Sequence, residues 1–134
     1  MIVVDASVLA NALADDGEDG RAARAALRDA GDLTAPDLID VETVAVLRKA
    51  WLAGTLTDER FSMAIADLQR WDFDRAPALR LVHRAYELRA NISAYDALYV
   101  ALAEAIDCPL LTADRRLARA PGPRCPIQVL TRED

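Results

Sequence analysis

Four carboxylates stand where the chain could do chemistry: Asp5, Glu42, Asp96 and Asp114. Asp5 closes the apolar run Ile2-Val3-Val4, and Asp114 stands two residues beyond Leu110-Leu111-Thr112. Both fall at the carboxyl ends of strand-like segments, the edge at which open α/β sheets bind ligands. Either acid alone would also serve as a helix N-cap. Glu42 is harder to explain structurally. Its helical neighbours at i±3 and i±4 are Leu38, Ile39, Ala45 and Val46. A carboxylate on an apolar helical face is costly unless it pairs with an arginine or binds a cation. Asp40 falls on another face, beside Asp37 and Thr43, and is expected to be solvated. Asp96 completes Ser93-Ala94-Tyr95-Asp96, a capping-box pattern, at the head of an almost wholly apolar helix. A buried helix N-terminus of that kind suits a phosphate or a metal.

Acids converging from four elements cannot all stay ionised side by side without a cation. Oxygen donors without His or Cys among them select a hard ion, Mg²⁺ or Mn²⁺. Such an ion polarises a phosphodiester oxygen, lowers the pKa of a bound water and stabilises the leaving oxygen. The chemistry implied is phosphodiester hydrolysis.

The elements that must position these acids follow from apolar periodicity and breakers. Ile2 to Val4 reads as a buried strand, followed at once by a helix over 7–13 that Asp15-Asp16-Gly17 ends. A second helix spans about 18–30 and stops at Gly31-Asp32. Leu33-Thr34-Ala35 is a short strand. Pro36-Asp37 is expected in the first turn of a third helix that runs to about Trp51. Thr57 caps a fourth, which ends near Arg70. Residues 71–74 are a short strand or a turn, 77–89 a helix, and Ser93 caps a helix over 94–106. Pro109 to Thr112 is a second buried strand, Asp114 to Leu117 starts a short helix, and 127–130 is a last strand. Short apolar strands alternating with helices indicate a mostly parallel sheet covered on both faces. The 134 residues, without repeat, low-complexity tract or linker, are expected to form one α/β domain over 1–134.

Composition narrows the classes. At 53% hydrophobic and 28% charged, the chain is neither disordered nor a membrane protein, since no apolar run approaches the roughly 20 residues that span a bilayer. Met1-Ile2-Val3-Val4-Asp5 lacks a basic leader, so a cytoplasmic location is expected. Cys108, Cys125 and His83 cannot build a zinc site, and a disulfide is not expected. The net charge of −6 argues against a protein that coats nucleic acid. Its distribution is uneven: residues 1–67 hold 6 basic and 13 acidic side chains, whereas 68–134 hold 10 and 9.

Taken in order, the motifs resemble those of PIN domains. Met1-Ile2-Val3-Val4-Asp5-Ala6-Ser7 is similar to the opening strand motif, and Pro36-Asp37-Leu38-Ile39-Asp40-Val41-Glu42 to the second. Ser93-Ala94-Tyr95-Asp96-Ala97-Leu98-Tyr99-Val100-Ala101-Leu102-Ala103 is similar to the third, and Leu110-Leu111-Thr112-Ala113-Asp114 to the fourth. Any one motif is weak; the ordered set covers essentially the whole chain, and its size and third motif most resemble VapC toxins of toxin–antitoxin pairs. The resemblance implies a three-layer α/β/α fold and a Mg²⁺-dependent endoribonuclease, with Mn²⁺ able to substitute. It implies that Asp5 and Asp96 ligate the metal directly while Glu42 and Asp114 complete the acidic site. Ser7 and Thr112 match small polar positions that orient the ligands. A homodimer and a VapB-type antitoxin partner are also implied. The early helices, rich in Ala, Leu and Val, are expected to offer an amphipathic segment an apolar groove. The departure is in charge, because a −6 chain must still approach RNA. Arg115 and Arg116, beside Asp114, are the expected RNA contacts, with Arg75, Arg80, Arg84 and Arg89 as weaker candidates.

Rival classes fit less well. A haloacid-dehalogenase-type phosphotransferase wants an acid two residues after Asp5, where this chain has Ser7. A receiver domain wants an acidic pair before its phosphorylated Asp. No glycine-rich nucleotide loop is present. The alternative that survives is a non-catalytic interaction module that keeps the PIN fold.

Overall fold

The computed structural model describes residues 1–130. Five short strands form its centre: β1 (Ile2–Val4), β2 (Leu33–Pro36), β3 (Asp74–Ala76), β4 (Leu110–Thr112) and β5 (Ile127–Val129). They lie in the order β3-β2-β1-β4-β5, and every pairing is parallel. All residues of β1 and β4 are buried, as their continuous apolar runs require of strands covered on both faces.

Helices α1 (Ala6–Ala14) and α2 (Glu18–Ala30) join β1 to β2, and α3 (Ile39–Leu52) and α4 (Asp58–Arg70) join β2 to β3. A 3-10 turn (Ala78–Leu81), α5 (Val82–Glu87) and α6 (Ala94–Ala105) return the chain to β4, and α7 (Arg115–Arg119) leads to β5. The first two crossovers step away from β1 in one direction and the last two in the other. Right-handed crossovers therefore put α1 to α4 on one face and α5 to α7 on the opposite face. Packing agrees: α1 contacts α2, α3 and α4, whereas α6 lies on β1, β2 and β4 and against α5. The result is the expected three-layer α/β/α architecture. Its core includes Val3, Val4, Val8, Leu9, Val100 and Leu110, all fully buried; burying each such side chain stabilises by about 1.5–3 kcal/mol.

One consequence of this topology governs the site. Strand order reverses between β1 and β4, so the crevice favoured for ligands opens at the carboxyl ends of those two strands.

Two local expectations are corrected. Pro36 is not in the first turn of a helix; it ends β2, opposite Ala76 of β3, and α3 starts at Ile39. Pairing between β1 and β2 has ended by that point, so β1 asks no N–H of Pro36. Residues 77–89 do not form one helix. The 3-10 turn and α5 leave Leu79, Val82 and Tyr86 exposed, and α5 buries no residue fully. Without a continuous buried face, packing gives little support to a longer helix.

Candidate active site

Asp5 is the residue immediately after β1 and the N-cap of α1. Its Oδ1 accepts the Val8 N–H at 3.3 Å and the Ser7 hydroxyl at 2.6 Å. Its Oδ2 accepts the Thr112 hydroxyl from the end of β4. The side chain is only 6% exposed. Burial raises the Asp5 carboxyl above the ordinary aspartate range, the three donors oppose that rise, and the nearby Asp96 charge adds to it.

The same hydroxyls organise the end of β4. Ser7 Oγ accepts the Ala113 N–H at 3.2 Å, and Thr112 Oγ1 accepts the Asp114 N–H at 3.0 Å. Ser7 and Thr112 therefore orient Asp5 and the chain leading to Asp114. Asp114 caps α7 through the Arg116 N–H at 2.9 Å and pairs loosely with the Arg116 guanidinium at 3.4 Å.

Asp96 lies in the first turn of α6. The Ser93 hydroxyl accepts the Asp96 N–H at 3.2 Å, which is half of the expected capping box. Burial raises the Asp96 carboxyl and the charge of Asp114 raises it further, against smaller opposing effects from Ser93 and Arg116. Asp96 and Asp114 together line a cleft of about 310 Å³, with Asn91, Ser93, Arg116 and Leu117 among its other walls.

Glu42 emerges one turn into α3, beyond the end of β2. Its carboxyl is raised by burial and by the charges of Asp96 and Asp5, with Tyr99 pulling the other way. Glu42 does not lie on an apolar, buried face of its own helix, contrary to the expectation from its i±3 and i±4 neighbours. Val46 is 42% exposed and Ala45 is also at the surface, and the buried residues of α3 are Ile39, Thr43 and Leu47. What covers Glu42 is the far side of the sheet's edge, where α6 supplies Tyr99. Glu42 Oε1 is buried with no hydrogen-bond partner, and so is the Tyr99 hydroxyl. Among the described residues no arginine forms a salt bridge with Asp5, Glu42 or Asp96. An arginine-paired, purely structural Glu42 is thereby set aside.

Asp5, Glu42 and Asp96 thus act on one another electrostatically, and Asp114 joins through Asp96. They are not drawn into a closed cage. Among the described residues no group of three or more His, Cys, Asp or Glu side chains stands close enough to hold a metal ion as placed. Asp5 and Asp114 are each held by local donors. The donor set still fits a hard divalent ion, being all oxygen, unpaired with arginine at three of four acids, and supplied with an orphan acceptor at Glu42.

The arginines divide clearly. Arg115 and Arg116 are exposed beside Asp114, with the Arg116 side chain 91% exposed. Arg80 is also exposed, and Arg89 lies over the Tyr86 ring, 4.1 Å from its centre. Arg75 and Arg84 are structural. Arg75 binds both oxygens of Asp40, at 2.9 and 3.0 Å, and two backbone carbonyls. Asp40 is therefore ion-paired, not merely solvated. Arg84 binds Glu104 at 2.7 Å and the Gly122 carbonyl. Tyr99 was not legible as a site residue, although it stands three residues after Asp96 and hence on the same face of α6.

A parallel α/β/α sheet with a buried aspartate at its switch point and further acids around it defines a class, and comparison with known proteins identifies it: the chain belongs to the PIN-domain family, whose domain it matches over residues 2–123. Within that family its relatives are VapC proteins. It is 43% identical over 132 residues to Ribonuclease VapC9 of Mycobacterium tuberculosis, covering 98% of this chain and all of that one. It is 41% identical over 129 residues to Ribonuclease VapC1 of the same organism, covering 96% of each. Among solved structures it resembles PAE2754 from Pyrobaculum aerophilum, with a TM-score of 0.66 at 23% identity over 96% of this chain and 83% of that one. It also resembles Mycobacterium tuberculosis VapC20, described as a Sarcin-Ricin loop cleaving toxin, with a TM-score of 0.62 at 17% identity over 82% and 87%. At those identities the structures speak to the fold.

Proposed function

We propose that the protein is a Mg²⁺-dependent endoribonuclease that acts in the cytoplasm as the toxin of a VapBC-type pair. The observation that carries this reading is the buried Asp5 carboxylate, held by Ser7 and Thr112 at the β1/β4 switch point, with Glu42 and Asp96 close by and unpaired with arginine. The names of its relatives at 41–43% identity point the same way.

Asp5, Asp96, Glu42 and Asp114 would hold the ion. A hard divalent cation, Mg²⁺ with Mn²⁺ as its substitute, supplies Lewis-acid stabilisation of the charge that builds on a scissile phosphodiester. The chain's own residues do the rest. Ser7 and Thr112 fix the Asp5 carboxylate, so its oxygens need little reorganisation on loading. Burial raises the Glu42 carboxyl in the metal-free chain, a cost that a cation held beside it would offset. The exposed guanidiniums of Arg115 and Arg116 supply positive potential beside the acids, which an otherwise acidic chain needs to approach RNA.

A partner surface supports the toxin–antitoxin part of the reading. Between α3 and α4 lies an apolar groove of about 650 Å³, walled by Val44, Trp51, Phe61 and Ile65. The exposed Val41 extends it. That shape suits the apolar face of an amphipathic antitoxin segment, and a homodimer completes the proposed assembly. Co-purification with the product of an adjacent small open reading frame tests the pairing; a protein that is harmless and unaccompanied when expressed alone counts against it.

The decisive experiment compares wild type with Asp5→Asn on single-stranded RNA, in Mg²⁺ and in EDTA. Cleavage by wild type in Mg²⁺ alone is expected, with at least a ~100-fold loss in the variant. Equal cleavage by both proteins rejects the metal-site reading. No cleavage by either protein, with partner binding intact, favours a non-catalytic interaction module.

A further inference from the structure

Buried polar atoms are nearly always hydrogen-bonded, and each exception asks for a cause. Three exceptions occur here among the described residues: Glu42 Oε1, Thr43 Oγ1 and the Tyr99 hydroxyl. Two belong to consecutive residues of α3. The third comes from α6, on the opposite face of the sheet. Tyr99 is among the largest fully buried side chains of the protein, at 1% exposure, and Thr43 is at 0%. A phenylalanine at position 99 would fill the same space and leave no orphan hydroxyl, so packing alone gives no reason for a tyrosine.

Position supplies a reason. Asp96 and Tyr99 are three residues apart on one face of α6, so the hydroxyl lies a turn below the Asp96 carboxylate. Glu42 and Tyr99 act on each other directly, and Asp5 and Asp96 also act on the phenol. Tyr99 therefore stands beneath three of the four acids, with its one donor unspent near the one buried carboxylate oxygen that has no donor among the described residues. Asp5 already has Ser7, Thr112 and the Val8 N–H to aim it. Glu42 has only Tyr99, whose hydroxyl is near enough to lower its carboxyl but does not reach hydrogen-bond geometry.

We propose that Tyr99 is a positioning residue for Glu42: its hydroxyl donates to Glu42 Oε1 and holds the carboxylate toward the acidic centre, as Thr112 does for Asp5. Glu42 would then help to hold a cation with its own orientation already fixed. The hydroxyl then plays the part of an outer-shell partner, which orients a ligand without touching the ion or the substrate. This inference rests on the metal-site reading of the four acids.

The test uses full-length wild type, Tyr99→Phe and Glu42→Gln. Three quantities are measured on each: Mn²⁺ affinity by calorimetry, stability in urea without metal, and kcat and KM on a single-stranded RNA. For Tyr99→Phe the expected result is a 10- to 100-fold weaker Mn²⁺ affinity. A fall in kcat should accompany it, with KM for RNA unchanged and metal-free stability equal or greater. Glu42→Gln should show at least as large a loss. If Tyr99→Phe binds Mn²⁺ and turns over RNA like wild type while Glu42→Gln is impaired, the positioning role is overturned and the metal site stands. If wild type and Glu42→Gln behave alike in Mn²⁺ binding and turnover, the metal-site reading fails and takes the positioning role with it. A Tyr99→Phe protein that is markedly less stable than wild type also overturns the proposal, because the hydroxyl would then be serving the fold.

Discussion

The Thr112 hydroxyl, at the end of β4, donates to Asp5 at the end of β1, while its oxygen accepts the Asp114 N–H at 3.0 Å. One fully buried side chain thus ties together two acids 109 positions apart in sequence and does so across the switch point of the sheet. Thr112→Val keeps the shape and removes both bonds. It should cost about 1–3 kcal/mol in urea denaturation, the usual consequence of leaving buried polar groups unmatched, and it should slow RNA cleavage. Thr112→Ser should recover most of both. A Thr112→Val protein as stable and active as wild type would show that this bond matters little.

Metal-free stability should depend on pH in a direction set by the same burial. Asp5 titrates above the ordinary aspartate range in the native state, chiefly because it is buried. Between the ordinary and the raised value the native chain binds more protons than the unfolded chain, so this group's contribution to stability falls as pH rises through that window and is constant above it. Asp5→Asn removes the effect. The variant's stability relative to wild type should therefore grow as pH rises through the window and level off above it, as urea titrations across acid and neutral pH would reveal. A stability difference between the two proteins that stays constant across that window contradicts the expectation.

Divalent metal should reverse the penalty. An ion that binds only the native state at 100 times its dissociation constant stabilises by about 2.7 kcal/mol. Mn²⁺ is expected to raise the thermal midpoint of wild type, EDTA to restore it, and Asp5→Asn to respond weakly. Equal responses from both proteins would place the ion elsewhere.

Arg84 and Arg116 should separate cleanly. Arg84 is locked to Glu104, which also accepts the Arg124 N–H at 2.7 Å and is only 14% exposed. Burial alone would raise the Glu104 carboxyl, but its Arg84 and Arg124 partners outweigh that and hold it low. Arg84→Met removes the ion-pair partner of that carboxylate and leaves it only the Arg124 contacts, and should cost on the order of 2–3 kcal/mol, with cleavage per folded molecule unchanged. Arg116→Ala should leave stability unchanged, raise KM for RNA and reduce the salt slope of binding by about 1. Salt-dependent binding and urea denaturation on the two variants provide the check.

The strand ends, the alternation of strands and helices, and the place of Asp5 and Asp114 beyond β1 and β4 were all legible in the sequence. Ile2-Val3-Val4 and Leu110-Leu111-Thr112 are continuous apolar runs that only a sheet covered on both faces can bury, and the acids that follow them must lie at its carboxyl edge. Local pattern therefore determines which residues can reach the crevice. It does not determine what they meet there. Glu42 looked buried by its own helix, yet Val46 and Ala45 face outward and its cover comes from Tyr99 on the other side of the sheet. Arg84 and Arg75 looked free to bind RNA, yet Glu104 and Asp40 hold them. Pairings of this kind span 20 to 107 positions of chain. They depend on how crossovers stack helices on the two faces, a matter of three-dimensional packing that no short window of sequence contains.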